Sequence, residues 1–230
     1  GHWMMGVTGI FSGAPSPVAF NLILPTVFAN AAVSLYAIGH LLLTRFRALP
    51  VAALFLVNPS FIVQVILGAD AHGVLWNSTR TIADTINEYP FFSFLWGDPH
   101  AHVISLFVQA LFLFLMLYIL HEWGGLSERS RWICLGAAAL TLGVMPGINS
   151  WDVLVYAPLL LVVGALIWYW AGRAAVPDPY PWRLFIVCPV LSLLTFAPYY
   201  LMLTSQGIAG IGIVPVPSVV PEFMLVYGFF

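Results

Sequence analysis

VISLFVQALFLFLMLYIL, Val103 to Leu120, runs for eighteen residues without a charge. As an α-helix it is about 27 Å long, close to the ~30 Å thickness of bilayer hydrocarbon. The stretch therefore reads as a membrane span. The whole chain agrees with it. Hydrophobic residues make up 61%, charged residues 7%, and mean hydropathy is +0.97, whereas soluble domains hold roughly 45 to 50% apolar residues.

Outward from that run, comparable stretches lie at Val18 to Leu43, Leu49 to Leu67, Trp132 to Met145, Val153 to Ala171 and Leu184 to Leu203. A further one begins near Glu222. Asn58-Pro59 interrupts the second, and the lost backbone donor predicts a kink or a re-entrant pair there. The expected fold is all-α: one transmembrane domain over 1–230, a polytopic helical bundle of about six spans. GHWMMGVTGIFS at the start is apolar but too short to span, and it predicts a helix lying in the outer interface. With no initiator Met and an apolar end at Phe223 to Phe230, the chain reads as an internal piece of a larger membrane protein.

Seven arginines and no lysine set the orientation. Arg45 and Arg47 follow the first span, Arg129 and Arg131 separate the third and fourth, and Arg173 and Arg183 separate the fifth and sixth. By the positive-inside rule these alternate loops are cytoplasmic, and the opposite loops carry only Arg80. The segments around 70–102, 149–152 and 204–221 then face the non-cytoplasmic side of a cell membrane. A net charge of −2 without a basic cluster speaks against nucleic acid and leaves the lipid bilayer as the evident partner. Cys134 and Cys188 fall inside spans, where a small buried hydrophobe is the ordinary role.

The polar residues gather in those outer segments. NEYPFFSFLWGDPHAH, Asn87 to His102, holds two carboxylates and two histidines against the apolar background. Asp98-Pro99 ahead of an apolar run reads either as a helix start, with Asp98 as its cap, or as a general base or metal ligand. His100 and His102 then stand in the first turn, where the helix dipole favours neutral imidazole, the form a metal ligand needs. Asp98, His100 and His102 have the composition of a divalent-cation site, to which Asp70 and His72 are candidate additions; hydrogen-bonded polar tips are the plainer alternative. Glu88 and Asn87 face either substrate or water. Arg80 suits a phosphate or a salt bridge to Asp84 four residues on. Asn149-Ser150-Trp151-Asp152 reads as a capped helix start that adds a third acidic group, and Trp151 as a belt residue or a sugar contact.

TINEYPFFSFLWGDPHAH (Thr85 to His102), GINSWD (Gly147 to Asp152), GHWMMGVTGIFSGAPSPVAFNL (Gly1 to Leu22) and FAPYYL (Phe196 to Leu201) resemble the Chlor-Arch-YYY family, multi-pass proteins named for a triple tyrosine. One departure is Pro99-His100-Ala101-His102, where that family tends to have Leu, His, Pro, His. The family is in turn similar to the C-type membrane glycosyltransferases. The resemblance implies a GT-C-like helical fold and sugar transfer from a polyprenyl-phosphate donor on the non-cytoplasmic face. It also implies that the triple tyrosine and further acidic residues lie upstream of Gly1. On that implication Asp98 and Glu88 are the candidate catalytic carboxylates, and Arg80, Asn87, His100, His102, Trp151 and Asp152 the candidate substrate contacts. The rival class is a non-catalytic scaffold subunit of an envelope complex. A transporter fits less well, because the span centres hold almost no ionisable groups.

Overall fold

The computed structural model describes residues 2–56, 58–171, 182–202 and 215–228. Arg173 and most of the 204–221 loop lie outside the described residues. Twelve α-helices are described: α1 His2–Ser12, α2 Ser16–Leu42, α3 Leu49–Leu56, α4 Pro59–Ile66, α5 Ala71–Asn77, α6 Pro90–Trp96, α7 Ala101–Glu122, α8 Glu128–Ile148, α9 Val153–Ala171, α10 Arg183–Thr195, α11 Ala197–Met202 and α12 Val220–Tyr227. No strand occurs among the described residues. The protein is an all-helical membrane protein, as its composition requires.

Four helices, α2, α7, α8 and α9, are long and apolar enough to cross a bilayer. A fifth crossing exists if α3 and α4 count as one broken span, bent by 65° at Asn58-Pro59. The bend has a local cause: Asn58 leaves helical geometry and its side chain accepts from the Phe61 N–H at 2.9 Å, capping α4 with Pro59 at its first position. The expected six spans are thus corrected at the last one, where α10 has only thirteen residues and Phe196 separates it from the six-residue α11. The seventh start near Glu222 appears as α12, of which eight residues lie among those described. The run at Trp132 to Met145 is longer than its hydropathy suggested, because Ser127 caps α8 through the Ser130 N–H and starts the helix at Glu128.

Contacts divide the chain into two units, one formed by Gly1–Pro50 and Pro99–Leu203, the other by Val51–Asp98 and Thr204–Phe230. In the first unit, α2 and α8 pack against α7, whose Ile104, Phe112, Met116 and Ile119 are fully buried. Leu135 and Met145 of α8 and Val27 and Ala31 of α2 complete that core. The opposite faces carry Phe20, Phe28 and Val33 on α2 and Leu154, Val155 and Trp168 on α9, all exposed. Apolar faces of this kind match lipid, not water.

Helix packing in bilayers relies on close backbone approach at small residues, and α8 meets α10 in that way at Gly143. A Cβ on Gly143 would stand 2.5 Å from Phe196 Cδ2 and 2.8 Å from the Ser192 carbonyl oxygen. At the far end of α8, Glu128 pairs with the buried Arg183 at 2.6 Å, so α8 and α10 begin at the same end. In the second unit, the Ser60 hydroxyl donates to the Leu225 carbonyl at 3.1 Å, tying α4 to α12. Phe55 and Phe94 meet edge to face at 5.4 Å.

Candidate functional site

The second unit builds its polar region around α5 and α6. Asp70 caps α5, its Oδ1 accepting from the Gly73 N–H at 2.7 Å, and the one group of three metal-ligating side chains among the described residues does not include it. Four residues apart along α5 and its C-terminal turn stand His72, Trp76 and Arg80. The His72 ring is stacked with Trp76 at 6.1 Å and 14°, and the Arg80 guanidinium lies 3.5 Å over the Trp76 ring. Arg80 also donates to the Thr79 hydroxyl. The alternative of a salt bridge to Asp84 is not realised. Asp84 sits in a left-handed turn conformation with φ 56°, and Arg80 forms no ion pair among the described residues.

Asn87 is buried and closes the 78–87 loop. Its N–H donates to the Thr79 carbonyl at 2.7 Å, and its side-chain oxygen accepts from the Ile82 N–H and the Thr85 hydroxyl, each at 3.1 Å. Its side chain is therefore engaged in holding the loop that carries Arg80. Tyr89 is buried beside it, with its hydroxyl 2.9 Å from Ser78 Oγ. Burial pushes the Tyr89 hydroxyl above its ordinary pKa of 10.0, and the hydrogen bond with Ser78 opposes part of that shift.

Glu88 and Asp98 flank α6 in sequence, and the fold returns them to each other. Both are half-buried, and a carboxylate oxygen of one lies within 4.8 Å of one of the other. The capping role weighed for Asp98 is corrected here. Gly97 adopts the left-handed conformation, φ 77°, and both its N–H and that of Asp98 donate to the Ser93 carbonyl at 3.1 Å. That is a left-handed glycine closure of α6, with both N–H groups on one carbonyl of its last turn. The chain leaves it extended, so α7 starts two residues later than expected, with His100 at its N-cap position. Asp98 thereby lies ahead of the helix and outside its cap.

In the first unit, His100 makes no side-chain capping bond, and its ring stacks on His102 at 5.7 Å. The segment 149–152 also departs from the capping expectation. Helix α9 begins at Val153, just after Asp152, and the Asp152 carbonyl accepts from Val155 and Tyr156. Asp152 is buried; Oδ1 accepts from Asn149 at 2.7 Å, and Oδ2 has no hydrogen-bond partner among the described residues. Trp151 is 71% exposed. FAPYYL meets GINSWD at the end of α8: the Tyr199 hydroxyl donates to the Pro146 carbonyl at 3.2 Å and the Tyr200 hydroxyl to the Gly143 carbonyl at 2.8 Å. Ser150 adds a bond to the Pro146 carbonyl at 3.3 Å. The Pro146 carbonyl is one that the helix end leaves open, whereas the Gly143 carbonyl lies one turn further in.

Sequence reasoning missed the rank of His72, Trp76 and Arg80, although their spacing of four was on view. It also missed the two tyrosines as helix-end partners, which pair over more than fifty residues and leave no local signal.

Several helices long and apolar enough to cross a bilayer define a polytopic membrane protein. Residues 1–230 match the family described as an uncharacterized membrane protein (DUF2298), and the chain belongs to it. Among curated proteins and among solved structures, nothing matches the chain.

Proposed function

We propose that the protein is a GT-C-like membrane glycosyltransferase that takes its sugar from a polyprenyl phosphate on the non-cytoplasmic face of the cell membrane. The observation that carries this reading is the Glu88–Asp98 pair, within 4.8 Å, in the same unit as a guanidinium free of carboxylate partners among the described residues. In such a transfer the acceptor hydroxyl attacks the anomeric carbon and the bond from that carbon to the phosphate oxygen breaks. The polyprenyl phosphate leaves, and the acceptor's proton passes to a carboxylate. Asp98 or Glu88 is the candidate for that base. Two carboxylates at this separation also supply oxygen ligands to a hard divalent cation. His100, two residues on in sequence, is the nearest imidazole in the chain. Arg80 suits the phosphate, through charge-assisted bonds worth about 1.5 to 3 kcal/mol. His102, Trp151 and Asp152 stay as proposed substrate contacts, and the resemblance to the triple-tyrosine family supports the same reaction class.

The arginine alternation supports the proposed sidedness. Arg129, Arg131 and Arg183 cluster where α8 and α10 begin, whereas GINSWD and FAPYYL meet about 30 Å away at the end of α8.

The test is transfer of labelled hexose from polyprenyl-phosphate hexose by the intact protein in membranes. Asp98→Asn and Glu88→Gln, which keep each side chain's size, should each lower transfer at least a hundredfold while the protein still unfolds cooperatively in detergent. Wild-type protein that neither binds nor consumes the donor would make the scaffold reading the better one.

A further inference from the structure

The second unit carries an aromatic cluster whose composition exceeds what a membrane belt needs. Trp96 ends α6 and stands at 6.0 Å and 47° to Trp76, while its ring also meets the edge of His72 at 6.2 Å. Phe92, one turn earlier, is buried and stacks on Trp96 at 5.5 Å and 14°. Phe92 thus backs the Trp96 ring, which stays 48% exposed; Trp76 is 39% exposed. A belt tryptophan needs only to place its amphipathic ring at headgroup level. Here two rings from different helices are held against each other, with the Arg80 guanidinium on one of them at 3.5 Å.

Each part answers to a different ligand feature. Arg80 is held against Trp76 and donates to Thr79, which fixes its plane, and its other N–H groups are open to an anion with paired oxygens. An exposed indole backed by a buried ring offers a flat apolar face, and the C–H face of a pyranose is complementary to such a surface. Trp96 is also joined to Asp98 through Gly97 alone, so a sugar on this ring lies near the carboxylate pair.

The geometry points to a glycosyl-phosphate subsite in which Arg80 on Trp76 takes the phosphate and Trp96, backed by Phe92, takes the sugar ring of a lipid-linked donor. This rests on the proposed transferase reading and adds to it the part of the site that recognises the sugar. It commits to the lipid-linked form, because the chain that carries these groups is a membrane protein.

Binding of two probes to the intact protein in phosphatidylcholine nanodiscs separates the parts: polyprenyl phosphate, and the same lipid carrying one hexose. Wild type should bind the glycosylated probe at least tenfold more tightly than the bare one. Trp96→Ala should abolish that difference and leave the bare phosphate's affinity unchanged, whereas Arg80→Gln should weaken both probes. Trp96→Phe, which keeps a ring on Phe92, should retain part of the preference and guards against a folding defect in the alanine variant. Equal binding of the two probes by wild type, or a preference untouched by either Trp96 variant, overturns the sugar subsite alone. Competition by phosphatidylglycerol as strong as by the bare probe also overturns it, since the cluster is then an anionic-lipid anchor. No binding of either prenyl probe to wild type overturns the transferase reading and the subsite together.

Discussion

Single residues decide where the polar groups of the second unit end up, and Asp98 illustrates how. Asp-Pro before an apolar run has the chemistry of a helix N-cap, which is why sequence alone leaves its role divided. The backbone of Asp98 is needed one step earlier, to close α6 through the Ser93 carbonyl, and that demand sends the next helix start to Ala101. Periodicity cannot register such competition between two helix ends for one residue. Tyr89 offers a test at this scale. Its hydroxyl pKa is raised by burial, so the folded chain holds the proton more tightly than the unfolded chain does. The associated stability is present below the unfolded pKa of about 10 and is lost as pH rises beyond it. Thermal unfolding of wild type should therefore weaken between about pH 9 and pH 11 more than that of Tyr89→Phe. Identical alkaline losses in the two proteins would mean the hydroxyl is not protected.

Among the elements, length and hydropathy made α2, α7 and α9 legible, because an apolar run of about twenty residues has few other uses, whereas only the fourteen residues from Trp132 to Met145 marked α8. Asn58-Pro59 likewise announced the break between α3 and α4. Less visible was the stop at Phe196, since the run from Leu184 to Leu203 reads as continuous while α10 ends at Thr195. Packing explains the difference: the Phe196 ring is set against α8 where Gly143 leaves room. Gly143→Ala should thus destabilise the protein by about 1 to 3 kcal/mol, as overpacked contacts do, and disturb the Tyr200 bond to the Gly143 carbonyl. A Cβ added at Gly136, on the same helix, would meet nothing within 4 Å, and Gly136→Ala should be neutral or stabilising by up to about 1 kcal/mol. Detergent unfolding midpoints of the two variants provide the comparison, and equal shifts would show that the α8–α10 contact is not tight.

At the scale of the whole molecule, a few polar residues on a hydrocarbon frame work only if they lie on the side where their ligand is found. The arginine pattern is what proposes that side, since loop charge and not packing governs orientation. What the pattern left open was which polar residues meet, because pairs such as Tyr199 with Pro146 are made by tertiary contact. The proposed transfer from a polyprenyl phosphate works only if the loops that carry its residues lie on the non-cytoplasmic face. Single cysteines at Ser127 and Ser150, at the two ends of α8 in a protein with Cys134 and Cys188 replaced by alanine, test that directly. In intact cells a membrane-impermeant thiol reagent should label the cysteine at 150, and the one at 127 only after permeabilisation; equal labelling, or the reverse order, would contradict it.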